Sequence, residues 1–444
     1  MQVETVLLYI AGILIVAVGI ALSIALHEVG HLVPAKLFGV RVGQYMIGFG
    51  KTLFSIRRGE TEYGIKAIPM GGYISMSGMY PPATAGGKPR TASTGFFQTL
   101  VTDARTASAE TIRSGEEKRA FYSLAIWKRI IIMLGGPFMN LVIAVVLYAV
   151  LLSGFGIAQQ TTTLGTVSQC VVAQTSTKTS CAASDVSSPG AKAGLKPGDK
   201  ILSINGTAMT SWDQLTNAIR RSANTPLRVV VQRGNARKTL TVTPVENAVA
   251  KIDAAGNVVV GSSGKIETET AGFVGISSTE AIVQQPLTAV IPAVWANTTQ
   301  VGGVIINLPQ RVVGVVNAAF GPGKRDPNGP IGLVGVGRIA GQIASTHAAT
   351  ISSRLAGLIS VVASVNVALL VFNLIPLMPL DGGHVAGALW EGIRRVWAKV
   401  FRRRDPGPVD TAKVVPLTFA VVVVLGALSL LLVYADIVKP ITLN

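Results

Sequence analysis

The stretch Thr5–Leu26, TVLLYIAGILIVAVGIALSIAL, runs directly into His27-Glu28-Val29-Gly30-His31. As a helix, a run of this length without a charged side chain extends about 33 Å, enough to cross the hydrocarbon core of a bilayer. His27 and His31 stand four residues apart on the same helix and share a face, so both can reach one metal ion. Glu28 lies beside them, where a carboxylate can take a proton from an attacking water. Two histidines at this spacing are often mere surface neighbours. Here the chain has only 4 His in 444 residues, and ionisable groups beside a membrane span are costly and usually functional. The pattern therefore points to a hydrolytic zinc site at the edge of a membrane.

Composition extends the reading outward. The chain is 49% hydrophobic and 14% charged, against roughly a quarter charged in soluble domains. Apolar runs at Thr5–Leu26, Ile130–Ala158, Leu355–Leu380 and Val414–Ala435 predict a polytopic α-helical membrane protein with about four transmembrane helices. The second and third runs contain Gly, Pro and Asn, which read as locally broken helix. The first has no basic n-region and no clear small-x-small cleavage site, so it reads as a retained span rather than a secretory signal.

A net charge of +17 invites a nucleic-acid reading, but its distribution argues against one. Lys36–Arg129 holds 14 Lys+Arg against 6 Asp+Glu, and Glu391–Lys413 is strongly basic. Both adjoin spans, as the positive-inside rule expects of cytosolic loops. The basic excess orients the protein in the lipid bilayer and attracts anionic lipid; no nucleic-acid partner is expected. The expected organisation is a first span with the histidines (1–35), a cytosolic, membrane-associated β region and linker (36–129) and a second span (130–158). An extracytoplasmic α+β domain (159–250) and an extracytoplasmic linker with helices (251–354) follow. A third transmembrane segment (355–390), a basic cytosolic loop (391–413) and a fourth span with its tail (414–444) complete the chain. The first and third spans then run in the same direction, with their cytosolic ends able to meet.

Two histidines need a third protein ligand and an open position for water. At the cytosolic end of the third segment the candidates are Asp381 and His384, and their spacing does not choose between them. His347 falls on the outer side. Short strand-like runs separated by turns, Gly48–Gly50 to Ile68–Ile74, predict hairpins near the first helix. Pro81–Gly95 reads as a loop, and Phe96–Val101 begins an amphipathic stretch. Glu246–Thr270 reads as irregular, and Ile282–Phe320 as helices on the outer face. Cys170 and Cys181, both outside, are expected to be able to pair in an oxidising compartment.

Ser188–Gly206 reads as a short helix, a turn, a strand and an Asn-Gly turn, followed by a helix at Trp212–Arg221 and strands at Leu227–Gln232 and Lys238–Thr243. This resembles a PDZ domain of bacterial membrane and periplasmic proteases, with a longer insertion holding both Cys that alters or covers the groove beside the first strand. A PDZ groove binds an extended peptide by strand addition. Asn373-Leu-Ile-Pro-Leu-Met-Pro-Leu-Asp381-Gly-Gly-His384 resembles the third-span signature of the site-2 protease family of intramembrane zinc metalloproteases. His27–His31 is similar to that family's first-span motif, Gly135–Asn140 to its second-span motif, and Ile68–Ile74 to its membrane-associated β-loop. The order of these anchors and the single PDZ-like domain resemble a bacterial branch of that family, of the actinobacterial type.

The resemblance implies His27, His31 and Asp381 as ligands of Zn2+, Glu28 as general base, and Asn373 as the residue that orients substrate or stabilises the oxyanion. It implies substrates that are single-span membrane proteins, such as anti-sigma factors and signal-peptide remnants, in a bacterial inner membrane, with the active site near the cytosolic side. For Asn140 and Gly135-Gly136 the expectation is helix packing. A strand edge at Gly71, Gly72 and Tyr73 is expected to receive the unwound substrate. The rival readings are a non-catalytic PDZ-bearing membrane scaffold and a metal-ion carrier. Glu28 weighs against both, since neither needs a base between ligands.

Overall fold

The computed structural model describes residues 2–81, 96–171, 181, 185–251, 259, 267–323, 325–326 and 329–441. The expected loop after Pro81 lies outside them, as does most of the insertion between the cysteines. The chain forms two compact units, Met1–Phe155 with Gln285–Asn444, and Gly156–Gln284.

In chain order, α1 (Gln2–Leu37) leads into β1 (Val42–Arg58), β2 (Thr61–Met76) and α2 (Phe96–Glu110). Next comes α3 (Ile126–Ala149), which widens into a π-helical stretch at Val150–Phe155. The second unit holds β3 (Ile157–Val167), α4 (Pro189–Lys192), β4 (Lys200–Ile204), β5 (Thr207–Ala208), α5 (Trp212–Arg220), β6 (Leu227–Arg233), β7 (Ala236–Val242), β8 (Val245–Ala250), β9 (Thr268–Phe273) and β10 (Ile276–Val283). The first unit resumes with α6 (Val290–Ile306), α7 (Leu308–Phe320), α8 (Leu333–Ser345), α9 (Ile351–Asn373), α10 (Asp381–Val400) and α11 (Val415–Val438).

Among the described residues, 5 helices are long and apolar enough to cross a membrane. Four correspond to the expected runs; the fifth, Leu287–Ile306, lies where helices on the outer face were expected. The third run is not one helix. Pro376 and Pro379 lack the N–H that a continuing helix needs, so α9 stops at Asn373 and α10 restarts at Asp381. The acidic side chain in that first turn suits the positive end of the new helix. The expected basic loop is helical as far as Val400.

Small residues set the helix spacing in this unit. A Cβ added to Gly30 would lie 2.2 Å from the Gly135 carbonyl oxygen, and one on Gly135 would lie 2.0 Å from that of Gly30. The backbones of α1 and α3 therefore touch where apolar surroundings reward close packing. Gly12 meets Ala340 and Gly341 meets Tyr9, which seats α8 along the first half of α1. Asn366, fully buried on α9, donates to Ser23 Oγ on α1 at 2.8 Å. Asn297 on α6 donates to Tyr148 Oη on α3 at 2.8 Å. Asp436 of α11 accepts from the backbone N–H groups of Gly332 and Gly335 and pairs with Arg325 at 2.5 Å. That carboxylate is buried but satisfied on both oxygens, the condition for tolerating such a charge.

β1 and β2 curl into more than a hairpin. Tyr45 pairs with both Tyr63 and Ile74, and Met46 with both Gly64 and Tyr73, while Phe54–Arg58 pairs back with Thr61–Ile65. The segment at residues 72–76 is thus an edge of the sheet among the described residues, beside residues 42–47. The second unit is a sheet in the order β10-β3-β4-β6-β7, with β5 beside β4, plus the pair β8-β9. Leu164, Ile201, Leu215, Leu227, Val231 and Val274 fill its core. α5 starts at Ser211, whose side chain accepts from the Gln214 N–H, an N-cap that satisfies one orphan donor. The stretch Glu246–Thr270, expected to be irregular, has strands at both ends: β8 pairs with β9 from Val245↔Phe273 to Ala250↔Thr268.

Candidate active site

Two elements of the first unit converge on one point. The last turns of α1 bring His27 and His31, and the start of α10 brings Asp381. The two imidazole Nε2 atoms lie 3.2 Å apart, and Asp381 Oδ2 lies 3.4 Å from each. For zinc bound at ordinary nitrogen and oxygen distances, a tetrahedral edge is about 3.3 Å. The three separations match such a face.

The donor chemistry agrees. His31 Nδ1 lies 2.7 Å from the Ile132 carbonyl oxygen. A carbonyl only accepts, so Nδ1 carries the proton and the Nε2 lone pair points into the cluster. Among the described residues, Asp381 Oδ2 is buried without a hydrogen-bond partner. Three electron-rich atoms facing one another without a donor are repulsive unless a cation sits among them. Space for that cation exists because position 136 has no side chain. A Cβ on Gly136 would fall 2.2 Å from His31 Nε2 and 2.6 Å from His27 Nε2. The residues present fit a tetrahedral metal ion with one position left open.

Asn140 lies one turn beyond Gly136 on α3, fully buried, with its amide nitrogen 3.0 Å from His27 Nδ1. Its Oδ1 has no partner among the described residues in that orientation. A half-turn of the amide, which exchanges two nearly identical atoms, lets Oδ1 accept from Nδ1–H and fixes the tautomer that frees His27 Nε2. The sequence reading expected Asn140 to hold helices together; its side chain does link α3 to α1, and it does so through a member of the cluster. The missed signal was spacing, since Gly136 and Asn140 are four apart and share a face just as His27 and His31 do.

Glu28 is 9% exposed. A Cβ on Gly72 would lie 3.0 Å from Glu28 Cγ, so the sheet edge at residues 72–76 passes directly against the carboxylate-bearing side chain. Gly71 has φ of +109° with the Phe49 ring 2.5 Å from where its Cβ would stand; only glycine suits that turn. Tyr73 donates from Oη to Gln44 Oε1 at 3.1 Å. Asn373 ends α9 half-buried. His384 stays outside the three-residue cluster and lines a cleft with Arg129 and Glu391. His347 contacts Thr5 at 2.9 Å, at the opposite end of α1 from His27. Cys170 and Cys181 form a disulfide with Cα atoms 5.8 Å apart.

A buried ion pair that sequence reading did not find locks α10 in place. Glu391, fully buried, accepts from Arg129 at 2.6 Å and from the Val409 N–H at 3.0 Å, with Arg395 at 2.9 Å. It ties the helix that begins at Asp381 to the start of α3.

Helices of membrane-spanning length, two histidines and an aspartate converging on one point, and a carboxylate between the histidines define a membrane-embedded metallopeptidase. Residues 15–402 match Peptidase family M50, and the chain belongs to that family. It is 32% identical over 452 aligned residues to the zinc metalloprotease Rip1 of Mycobacterium tuberculosis, covering 98% of this chain and 100% of that protein. It is 31% identical to Rip1 of Mycolicibacterium smegmatis, over 97% of this chain and 98% of that protein. Similarity to the metalloprotease MmpA of Caulobacter vibrioides is 28%, over 85% of each. Fold, site and family are those of a zinc-dependent intramembrane protease.

Proposed function

We propose that this protease is an endopeptidase that cuts single-span membrane proteins, anti-sigma factors and signal-peptide remnants among them, with His27, His31 and Asp381 holding Zn2+. The observation that carries the reading is the triangle of 3.2, 3.4 and 3.4 Å around the vacant Cβ position of Gly136. Zinc bound there would polarise the scissile carbonyl and make water a stronger acid. Glu28 takes the proton of the attacking water and passes it to the leaving amine. Asn140 holds the His27 ring, and Asn373 orients the substrate backbone near the developing oxyanion.

A scissile bond within a helix must first unwind, and its freed N–H and C=O groups need partners in the membrane. The sheet edge at Gly72-Tyr73 is the nearest source, because its backbone lies against Glu28. Strand addition there aligns the unwound segment beside the base. Prolines placed one at a time through residues 71–75 should lower cleavage while leaving bound zinc unchanged.

The orientation proposed places the site near the cytosolic side of a bacterial plasma membrane. His27, His31 and Asp381 meet, so α1 and α9 end on the same side, and α3 starts there. An even number of crossings must then separate α3 from α9. α7 and α8, 13 residues each, reach only about 20 Å and cannot return a crossing made by α6. That leaves four full spans, with α6 entering the bilayer part-way from outside. The unit Gly156–Gln284 reads as a PDZ-like extracytoplasmic domain. β3 is flanked by β10 and β4, so a peptide adds to β3 only by displacing β10.

Glu28→Ala tests the reading. Zinc content should stay at the wild-type level while cleavage of a co-expressed single-span substrate falls by about 10²–10⁴-fold. Retained cleavage refutes the assignment and returns the scaffold and carrier readings.

A further inference from the structure

α10 carries an apolar face that no other described residue covers. Leu389, Trp390, Ile393, Val396, Trp397, Val400 and Phe401 are each between 52% and 69% exposed. At 100° per residue these positions fall within an arc of about 140°. The opposite side is the packed one, where Ala388, Glu391 and Ala398 are buried. Residues 394–404 hold six basic side chains and no acidic one, and Lys399, Arg402, Arg403 and Arg404 are exposed. Only seven residues separate the helix from the end of α9, which keeps it at the boundary of the bilayer that α9 spans.

We propose that α10 seats its Leu389–Phe401 face in the cytosolic membrane interface and that its arginines bind anionic lipid headgroups. Three observations select lipid over a protein partner. The stripe mixes two tryptophans with branched aliphatics, the composition of interfacial helices. Its flanking charge is predominantly basic, six basic side chains at 394–404 against Asp405 and Asp410 beyond them, and complementary to an anionic leaflet. Its position is set by the adjoining span, so the bilayer surface meets it without any further association. An uncovered apolar face of this extent in water would be costly. Because the first residue of α10 is Asp381, the seat on lipid also anchors the helix that supplies the third corner of the metal site. That consequence rests on the proposed ligand set; the lipid seat does not.

The test uses the full chain in nanodiscs of phosphatidylcholine with about one-third phosphatidylglycerol, with brominated phosphatidylcholine as quencher. Trp390→Phe together with Trp397→Phe removes two of the 5 tryptophans. The lipid-quenchable fluorescence intensity per chain should fall by at least a third relative to wild type, with monomer mass unchanged. An unchanged quenchable intensity per chain, or a dimer in which these tryptophans are shielded from lipid, overturns the proposal. Arg402→Gln, Arg403→Gln and Arg404→Gln combined should lower the phosphatidylglycerol enrichment that co-purifies with the protein by at least about fivefold. Equal enrichment in this variant and wild type overturns the headgroup assignment. Zinc content, measured in parallel, reports separately on the metal-site reading.

Discussion

The sharpest perturbation of the site is a single methyl group at position 136. Gly136→Ala improves the intrinsic helix propensity of α3 by about 1 kcal/mol, so secondary structure alone predicts a neutral or stabilising change. The geometry predicts the opposite for metal binding. The new carbon would stand 2.2 Å from His31 Nε2 and 2.6 Å from His27 Nε2, whereas non-bonded heavy atoms settle at about 3.5 Å. The two rings must therefore retreat by about 1 Å. Zinc–ligand distances tolerate departures of only about 0.2 Å, so coordination is lost rather than weakened. Zinc measured by mass spectrometry on the purified protein should fall from one per chain to near zero. Thermal unfolding of the metal-free forms should differ by about 1 kcal/mol or less. Gly135→Ala is the control, because its methyl meets the Gly30 carbonyl oxygen at 2.0 Å instead of the imidazoles. It forces α1 from α3 and should cost about 1–3 kcal/mol in the metal-free protein as well. A Gly136→Ala protein that binds one zinc with unchanged affinity would refute the placement of the metal between these residues.

Asn140→Ala should weaken zinc by about 10- to 100-fold in chelator competition, with Asn140→Gln no better, since its longer arm misplaces the amide; unchanged affinity would reduce Asn140 to a packing residue. Glu391→Ala leaves Arg129 buried without its partner and should destabilise the membrane unit by about 3–5 kcal/mol, read as a lowered aggregation temperature in detergent. In the second unit, the Asp199 carboxyl is held below its ordinary range by two hydrogen bonds from Arg233, each 2.7 Å. A depressed carboxyl contributes stability that is complete above the unfolded value near 3.8 and is lost as pH falls through the folded value. The second unit of the full chain, followed by hydrogen exchange, should thus lose protection below about pH 4. Asp199→Asn should flatten that loss while costing about 2–3 kcal/mol at neutral pH.

How much of this was legible in sequence depends on the range of the physics involved. Spans were legible because a bilayer imposes a length and a hydropathy on consecutive residues, and His27–His31 because helical periodicity puts neighbours four apart on one face. The choice of Asp381 over His384 was not, since both lie at the same span end; only the family resemblance and then the structure separate them. The turn between α9 and α10 shows why. Pro376 and Pro379 were read as a break within one span, yet their effect is to end one helix and start another whose first residue points at the histidines. The second-span motif was underread for a related reason. Gly30, Gly135 and Gly136 look alike in sequence, and which glycine admits a helix and which leaves room for an ion is decided by pairings more than 100 residues apart in the chain.

The same distinction explains why the polar residues of the membrane unit fall into two sets. Asn366 with Ser23, Asn297 with Tyr148 and Asp436 with Arg325 find partners among themselves, as buried polar groups in apolar surroundings must. Asp381 Oδ2 and the two imidazole Nε2 atoms do not: they offer lone pairs to each other and to no donor. Single oxygens such as Asn297 Oδ1 and Asn366 Oδ1 are also left unpartnered among the described residues, but three acceptors facing one another are repulsive unless a positive ion completes the set. The site is thus marked less by the motif than by the contrast with its own surroundings. Changing Asp381 to Asn should expose that contrast: the amide can donate to one imidazole, so the metal-free protein should become more stable as zinc binding is lost. A metal-free Asp381→Asn protein less stable than the metal-free wild type would show that the cluster is held together by something other than the missing cation.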